Sequence, residues 1–349
     1  MKILYAGSLT PNDSALYRMW ALERLGHAVI PFDINGYELA HPVLRKVAFR
    51  IAAGPHIERL NRDLLRAAAG DDIAVLWADK VLGLQPSTLQ SLRKQGVVTA
   101  SYMIDNAFGP RRDPGWRLYM KCLREFDLHI TQRDVSVRDY EERGARRVMK
   151  IQTAYEPTLH FPPPPGWTDA NRTREVSFIG SPYDNRAEFL LRLATEFNVP
   201  VTVSGSKAWR AALAPEMLRR MFSGEDGLYH DAYREAIWAS KINLSFLTHS
   251  NQDEYAHKSF EITACGGFLL AERSEGHSAK FREGEEAVFF RDIEECVAKI
   301  RQYLPDEAAR SRIAAAGQRR AEQSGYGNDA QVERIVTVLE ELSHSLAHH

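Results

Sequence analysis

The stretch THSNQDEYAHKSFEITACGGFLLAE, Thr248 to Glu272, decides the fold of this chain. An apolar strand-like run, Ile242–Leu247, precedes it. A polar loop, a short helix signal over Lys258–Ala264, the paired glycines Gly266 and Gly267, and a second strand-like run over Phe268–Ala271 follow. Strand, loop, short helix, glycine, strand is a βαβ unit, and in open α/β sheets ligands lie off the carboxyl ends of the strands. Asp253, His257 and Lys258 in the loop and Glu261 on the helix are therefore expected to open into a cleft. A helix N-terminus and Lys258 offset diphosphate charge, and a carboxylate such as Glu261 accepts two hydrogen bonds from a ribose diol. The same residues also fit a half-buried glutamate on an amphipathic helix that ends in a C-cap glycine.

Working outward, the 349 residues are enough for two domains of ordinary size. A hydrophobic content of 44% and a charged content of 26% are those of a soluble globular chain. The net charge is −1 but unevenly spread: residues 1–165 hold 23 Lys and Arg against 18 Asp and Glu, and the rest 22 against 28. The basic first half points weakly to an anionic partner or a membrane surface. Near-neutral charge and the lack of a basic-aromatic face argue against nucleic acid. Cys122, Cys265 and Cys296 are scattered and odd in number, which suits buried thiols in a reducing, cytoplasmic compartment. Met1-Lys2 runs straight into a strand, so no secretory signal is expected, and no apolar run approaches a membrane span.

The chain opens with a strand, Lys2–Ala6, a Gly7-Ser8 turn, a helix over Ala15–Leu25 and a second strand, His27–Phe32. This is the start of a Rossmann-like half, without the full G-x-G-x-x-G fingerprint of a tightly held dinucleotide. Helical pattern over Val43–Ala69 is broken at Gly54-Pro55 and carries Arg45, Lys46, Arg50, Arg59, Arg62 and Arg66 among apolar residues. It fits either solvated surface helices or a basic amphipathic face for a membrane or anionic acceptor, so peripheral membrane contact stays open. Strand Val97–Ile104 ends at Asp105-Asn106, where Asp105 either binds an acceptor hydroxyl or acts as a base, or caps the turn. Pro162–Pro165 favours a stiff linker, which divides the chain into residues 1–160 and 161–330, with a last helix in 331–349. The second half restarts with strand Glu175–Ile179, the turn Gly180-Ser181 and Arg186 at a helix start. Backbone N–H groups there plus one guanidinium make an anion seat.

The run Lys258-Ser259-Phe260-Glu261-Ile262-Thr263-Ala264-Cys265-Gly266-Gly267, followed by Phe281 and Gly284-Glu285-Glu286-Ala287-Val288-Phe289-Phe290, resembles the C-terminal half of group 1 glycosyltransferases, above all their spore-maturation-type (CgeB-like) branch. In related retaining enzymes a Glu-x7-Glu pair brackets this site. Its second Glu matches Glu261, its first falls on the shorter Asp253, and Lys258 stands where the family usually has Arg. The resemblance implies the α/β GT-B architecture, two Rossmann-like domains facing across a cleft, with the final helix returning to the first. It implies a hexosyltransferase-type enzyme that moves a sugar from a nucleotide diphosphate-sugar to an unknown acceptor: a glycan, a lipid-linked or a small molecule. Gly180, Arg186, Lys258, Glu261 and Gly266 would bind the donor, and Asp253 and His257 would face its sugar. No Asp-x-Asp pair marks a metal site, so no metal or other cofactor is expected. Retention is favoured; inversion would need a base from the first half, for which Asp13 and Asp105 are the candidates. Two rivals share the fold: a nucleotide-sugar 2-epimerase, which would act without an acceptor, and a non-catalytic nucleotide-sugar-binding protein.

Overall fold

A computed structural model describes residues 1–70, 72–110, 114–224 and 226–347. The chain divides into two compact units, Met1–Gln152 together with Asn328–His349, and Thr153–Gly327.

In the first unit six parallel strands form one sheet in the order β2-β1-β3-β4-β5-β6. They are β1 (Lys2–Gly7), β2 (Ala28–Asp33), β3 (Val75–Asp79), β4 (Val98–Met103), β5 (Leu128–Thr131) and β6 (Val148–Lys150). Every residue of β3 and β4 is buried, as expected of parallel strands covered on both faces. Leu4, Leu76 and Met103 enter the core under α3 (Pro55–Ala69). Ile3, Tyr5 and Trp77 enter the other, under α1 (Ser14–Arg24) and the last helix, Asn328–Ala347. That last helix contributes Val332, Ile335 and Leu339, and its Asp329 pairs with Arg24 at 2.5 Å. Residues 348–349 of the expected C-terminal segment lie outside the described residues. Between β2 and α3 stands a short helix, α2 (Pro42–Ile51). The helical pattern over 43–69 is two helices, parted beside the expected break at Gly54-Pro55, where Ala52 (φ 52°) and Gly54 (φ 135°) have positive φ.

The second unit holds five parallel strands in the order β11-β10-β9-β7-β8: β7 (Arg174–Ile179), β8 (Val201–Ser204), β9 (Ser240–Ser245), β10 (Leu269–Glu272) and β11 (Val288–Phe290). Phe178 packs into one core and its neighbour Ile179 into the other, the alternation a pleated strand imposes. The helices that matter below are α4 (Arg186–Thr195), α5 (His230–Trp238) and α6 (His257–Ala264).

Two expectations need correction. The unit boundary lies at Gln152/Thr153, not after residue 160. The Tyr155 N–H donates to the Tyr326 carbonyl, Trp238 Nε1 donates to Phe161 O at 3.1 Å, and Pro162 and Pro163 lie against Gly266. The proline run thus starts packed against the second unit through Pro162 and Pro163, while Pro164 and Pro165 are exposed, and it lies inside that unit and not between the two. Strand β9 also begins two residues earlier than the apolar run suggests, because the Ser240 hydroxyl is absorbed by Ser177 and the Ala236 carbonyl.

Both sheets reverse their strand order once, between β1 and β3 in the first unit and between β7 and β9 in the second. Such switch points open a crevice at the carboxyl ends of the strands.

Candidate active site

At the switch point of the second unit, Gly180 directly follows β7. A Cβ there would lie 2.9 Å from the Phe178 ring and 3.3 Å from Lys258 Cε, so the bare backbone is what lets Lys258 cross this turn. Lys258 is half-buried in the first turn of α6. Its Nζ lies 4.6 Å from the centroid of the Tyr233 ring and 3.5 Å from the Tyr233 hydroxyl. Burial lowers the Lys258 pKa, with Glu261 working against it.

Glu261, one helical turn further on, is 7% exposed and is the hub of the site. Its Oε2 accepts from the Tyr233 hydroxyl at 2.6 Å and its Oε1 pairs with His257 Nε2 at 2.9 Å. His160 Nε2 stands 3.7 Å away, and its Nδ1 accepts from the Glu156 N–H at 3.0 Å. The Thr153 hydroxyl meets His257 Nδ1. Burial alone would raise the Glu261 pKa, but His257, His160 and Lys258 hold it well below the usual carboxylate range. Glu261 is thus a fixed anion inside a ring of donors.

The start of α6 is set by a residue that sequence reasoning missed. His277 is fully buried. Its Nδ1 lies 2.7 Å from the Glu272 carbonyl, which only accepts, so Nδ1 carries the proton. Its Nε2 then accepts from the Ala256 N–H at 3.1 Å and the Ser259 hydroxyl at 2.9 Å. Burial pulls its pKa down to about 4, which keeps this neutral tautomer at pH 7.

The remaining sequence-derived candidates fall elsewhere or do other work. Arg186 is buried at the start of α4 and donates through Nη2 to Leu247 O at 3.0 Å and Thr248 Oγ1 at 2.8 Å. It braces the β7–α4 turn against the loop after β9, and its Nε has no hydrogen-bond partner among the described residues. Asp253 accepts from the Thr248 N–H at 3.3 Å and Asn251 Nδ2 at 3.0 Å, which closes the loop. Gly266 (φ +66°) lies at the far end of α6, against Pro162 and Pro163, about 12 Å along the helix from Lys258. It follows the end of the helix, at the opposite end from Lys258.

In the first unit the switch point is a cavity of ≈ 430 Å³ lined by Ser8, Asp13, Arg18, Asp79 and Lys80 and roofed by α2. The Asp13 carboxylate accepts from the Ser8 hydroxyl and from Thr10 Oγ1. Asp105 pairs with Lys80 at 2.6 Å. Beneath them lies a buried pair: Arg18 meets Asp79 through two bonds, 2.6 and 2.8 Å. The Tyr5 hydroxyl donates to the same carboxylate at 2.7 Å.

A glycosyl transferase-like family profile (Glyco_trans_1_2) matches residues 184–337, which span α4 through the Glu261 cluster and into the last helix. That stretch, 154 of the 349 residues, is similar to a glycosyl transferase-like domain. No curated protein sequence matches the chain. Among solved structures, a sucrose-phosphate synthase from Thermosynechococcus elongatus is similar over 99% of this chain and 100% of that one, at 14% identity and a TM-score of 0.69. HepE of Anabaena, in complex with UDP-glucose, is similar over 100% of both chains, at 15% identity and a TM-score of 0.65. The α,α-trehalose-phosphate synthase (UDP-forming) of Burkholderia vietnamiensis is similar over 99% of this chain and 98% of that one, at 12% identity and a TM-score of 0.65. The fold is α/β with the GT-B architecture, and the enzyme class is glycosyltransferase. No helix among the described residues is long and apolar enough to cross a membrane.

Proposed function

We propose that this glycosyltransferase moves a sugar from a UDP-sugar to an acceptor hydroxyl, without a metal ion and with retention at the anomeric carbon. The observation that carries this is the meeting of Lys258, the bare Gly180 turn and the N-terminus of α6 at the carboxyl ends of β7 and β9. Unpaired backbone N–H groups at a helix start and a half-buried ammonium favour a diphosphate. The uridine assignment rests on the UDP and UDP-glucose held by HepE.

In this reaction the bond from the anomeric carbon to the diphosphate oxygen breaks, and the bond to the acceptor oxygen forms. The leaving UDP gains a negative charge, which Lys258 and the α6 N-terminus stabilise most as it develops. The acceptor proton passes to the leaving phosphate. This reading gives no base role to Asp13 or Asp105, which are held by Ser8 and Thr10 and by Lys80. A carboxylate has about four acceptor positions. Tyr233 and His257 take two of those on Glu261, and the ribose diol takes the others.

Calorimetry with UDP, ADP, GDP and CMP, with and without EDTA, tests the donor assignment. Micromolar UDP binding that EDTA leaves unchanged is expected. Absence of nucleotide binding, or binding that needs a divalent cation, contradicts it. NMR of the product's anomeric proton tests retention.

A further inference from the structure

Among the described residues, five of the eight large apolar side chains that lie exposed belong to α2, a helix of 10 residues. Val43 is 60% exposed, Leu44 56%, Val47 47% and Ile51 59%. At 100° per residue these four fall within an arc of about 100°. Ala48, just past the Leu44 edge of the stripe, and Phe49, on the opposite side, line the cavity, where Phe49 seats on Gly115 while staying 45% exposed. The helix carries Arg45, Lys46 and Arg50 and no acidic residue. Lys46 and Arg50 border the apolar stripe, and all three are exposed. Arg45 meets Glu38 only loosely, at 3.5 Å. A short helix with an exposed aliphatic stripe edged by cations is suited to the headgroup boundary of an anionic bilayer.

The cavity beneath is matched to the same source. Its walls include Tyr37, Ala48, Phe49, Ile57, Leu60 and Leu82; Asp13, Lys80 and the Arg18–Asp79 pair line it at the strand ends, and Glu38, Arg45 and His56 line it beside α2. This is room for an apolar body with a polar head directed at the sheet.

We propose that α2 lies on an anionic lipid bilayer through Val43, Leu44, Val47 and Ile51, and that the cavity it roofs receives the apolar body of an acceptor drawn from that bilayer. The word acceptor rests on the transferase reading above; the membrane contact does not.

The test is co-sedimentation of the full chain with phosphatidylcholine vesicles, with and without phosphatidylglycerol, beside UDP calorimetry on the same preparations. Wild-type protein is expected to partition about tenfold more strongly onto the anionic vesicles, and the Val43→Glu/Val47→Glu double variant to lose this while binding UDP unchanged. Equal partitioning onto both vesicle types, or an unaffected double variant, overturns the membrane assignment. So does a halving of the mass in light scattering on going to the double variant, which would give the stripe to a second copy of the chain. Vesicle binding without UDP binding would sink the donor reading and leave this one standing. For the cavity, decan-1-ol is expected to bind at least about tenfold more tightly than butan-1-ol. Ala48→Trp should abolish that preference while vesicle partitioning persists. Equal affinities for the two alcohols overturn the cavity assignment.

Discussion

The two switch points of this molecule solve different problems. In the second unit, charged and polar groups converge on one carboxylate: Glu261 is held by Tyr233, His257 and His160, with Lys258 alongside. In the first unit the buried charges are paired off, as Arg18 with Asp79, and the walls mix apolar side chains such as Tyr37, Leu60 and Leu82 with a few polar ones. The first arrangement orders a small anion through fixed electrostatics; the second offers volume and little directional demand. A donor whose leaving group must be stabilised to the ångström suits the former, and an acceptor that varies in its body suits the latter.

The strongest way to break this contrast is to remove one member of each buried pair. Glu261→Ala and Asp79→Ala each strand a buried partner, and each should cost about 3–5 kcal/mol in chemical denaturation. Only the first should abolish UDP binding. If the milder Asp79→Asn also removed UDP affinity while the protein stayed folded, the division of labour between the units would be wrong. Next in size, Lys258→Ala should weaken UDP binding by about 1.5–3 kcal/mol, the worth of a charge-assisted contact, with Lys258→Arg recovering much of it. Calorimetry that finds the Ala variant unchanged would remove Lys258 from the site.

Acid stability sharpens the comparison further. His277 in the second unit and His129 in the first are both buried, with pKa values pulled from 6.5 down to about 4 by desolvation. The unfolded chain therefore binds protons that the folded one refuses. The stability these residues contribute is complete above pH 6.5 and is lost as pH falls towards 4, at up to about 1.4 kcal/mol per pH unit for each. Below the ordinary carboxylate value of 4.5, Glu261 adds a loss of the same sign. Urea titrations between pH 7 and 4 should show the slope reduced in His277→Phe and in His129→Phe; an unchanged slope in either would mean that histidine is charged in the fold. The smallest effect expected is for Asp253→Asn, because its carboxylate serves the Thr248–Asn251 turn. Transfer rate and stability should stay within about 0.5 kcal/mol of wild type, and a hundredfold fall in rate would restore Asp253 to the chemistry.

What could be seen in advance follows from how local each device is. The α/β alternation was legible because parallel strands such as VLWAD and VTASYM are buried on both faces and stand out as apolar runs. His257, Lys258 and Glu261 were legible because they share a single turn and a half of one helix. Tyr233 lies 28 residues from Glu261 and Thr153 lies 104 from His257, so only the folded sheet brings them together. His160 was hidden by its neighbours: a histidine in LHFPPPP suggests a linker until the prolines are found packed on Gly266. Arg18 and Asp79 are 61 residues apart, and nothing near either marks them as a pair. Arg186 and Gly266 also have structural work that their residue types do not announce: Arg186 braces the loop after β9, and Gly266 follows the end of α6.

The most direct test of the central claim is hydrogen–deuterium exchange of the full chain with and without UDP-glucose. The account predicts slowed exchange over residues 180–186 and 257–265, with residues 42–57 unchanged. Protection centred on residues 42–57, with the second-unit peptides unaffected, would place the donor in the other unit and contradict it.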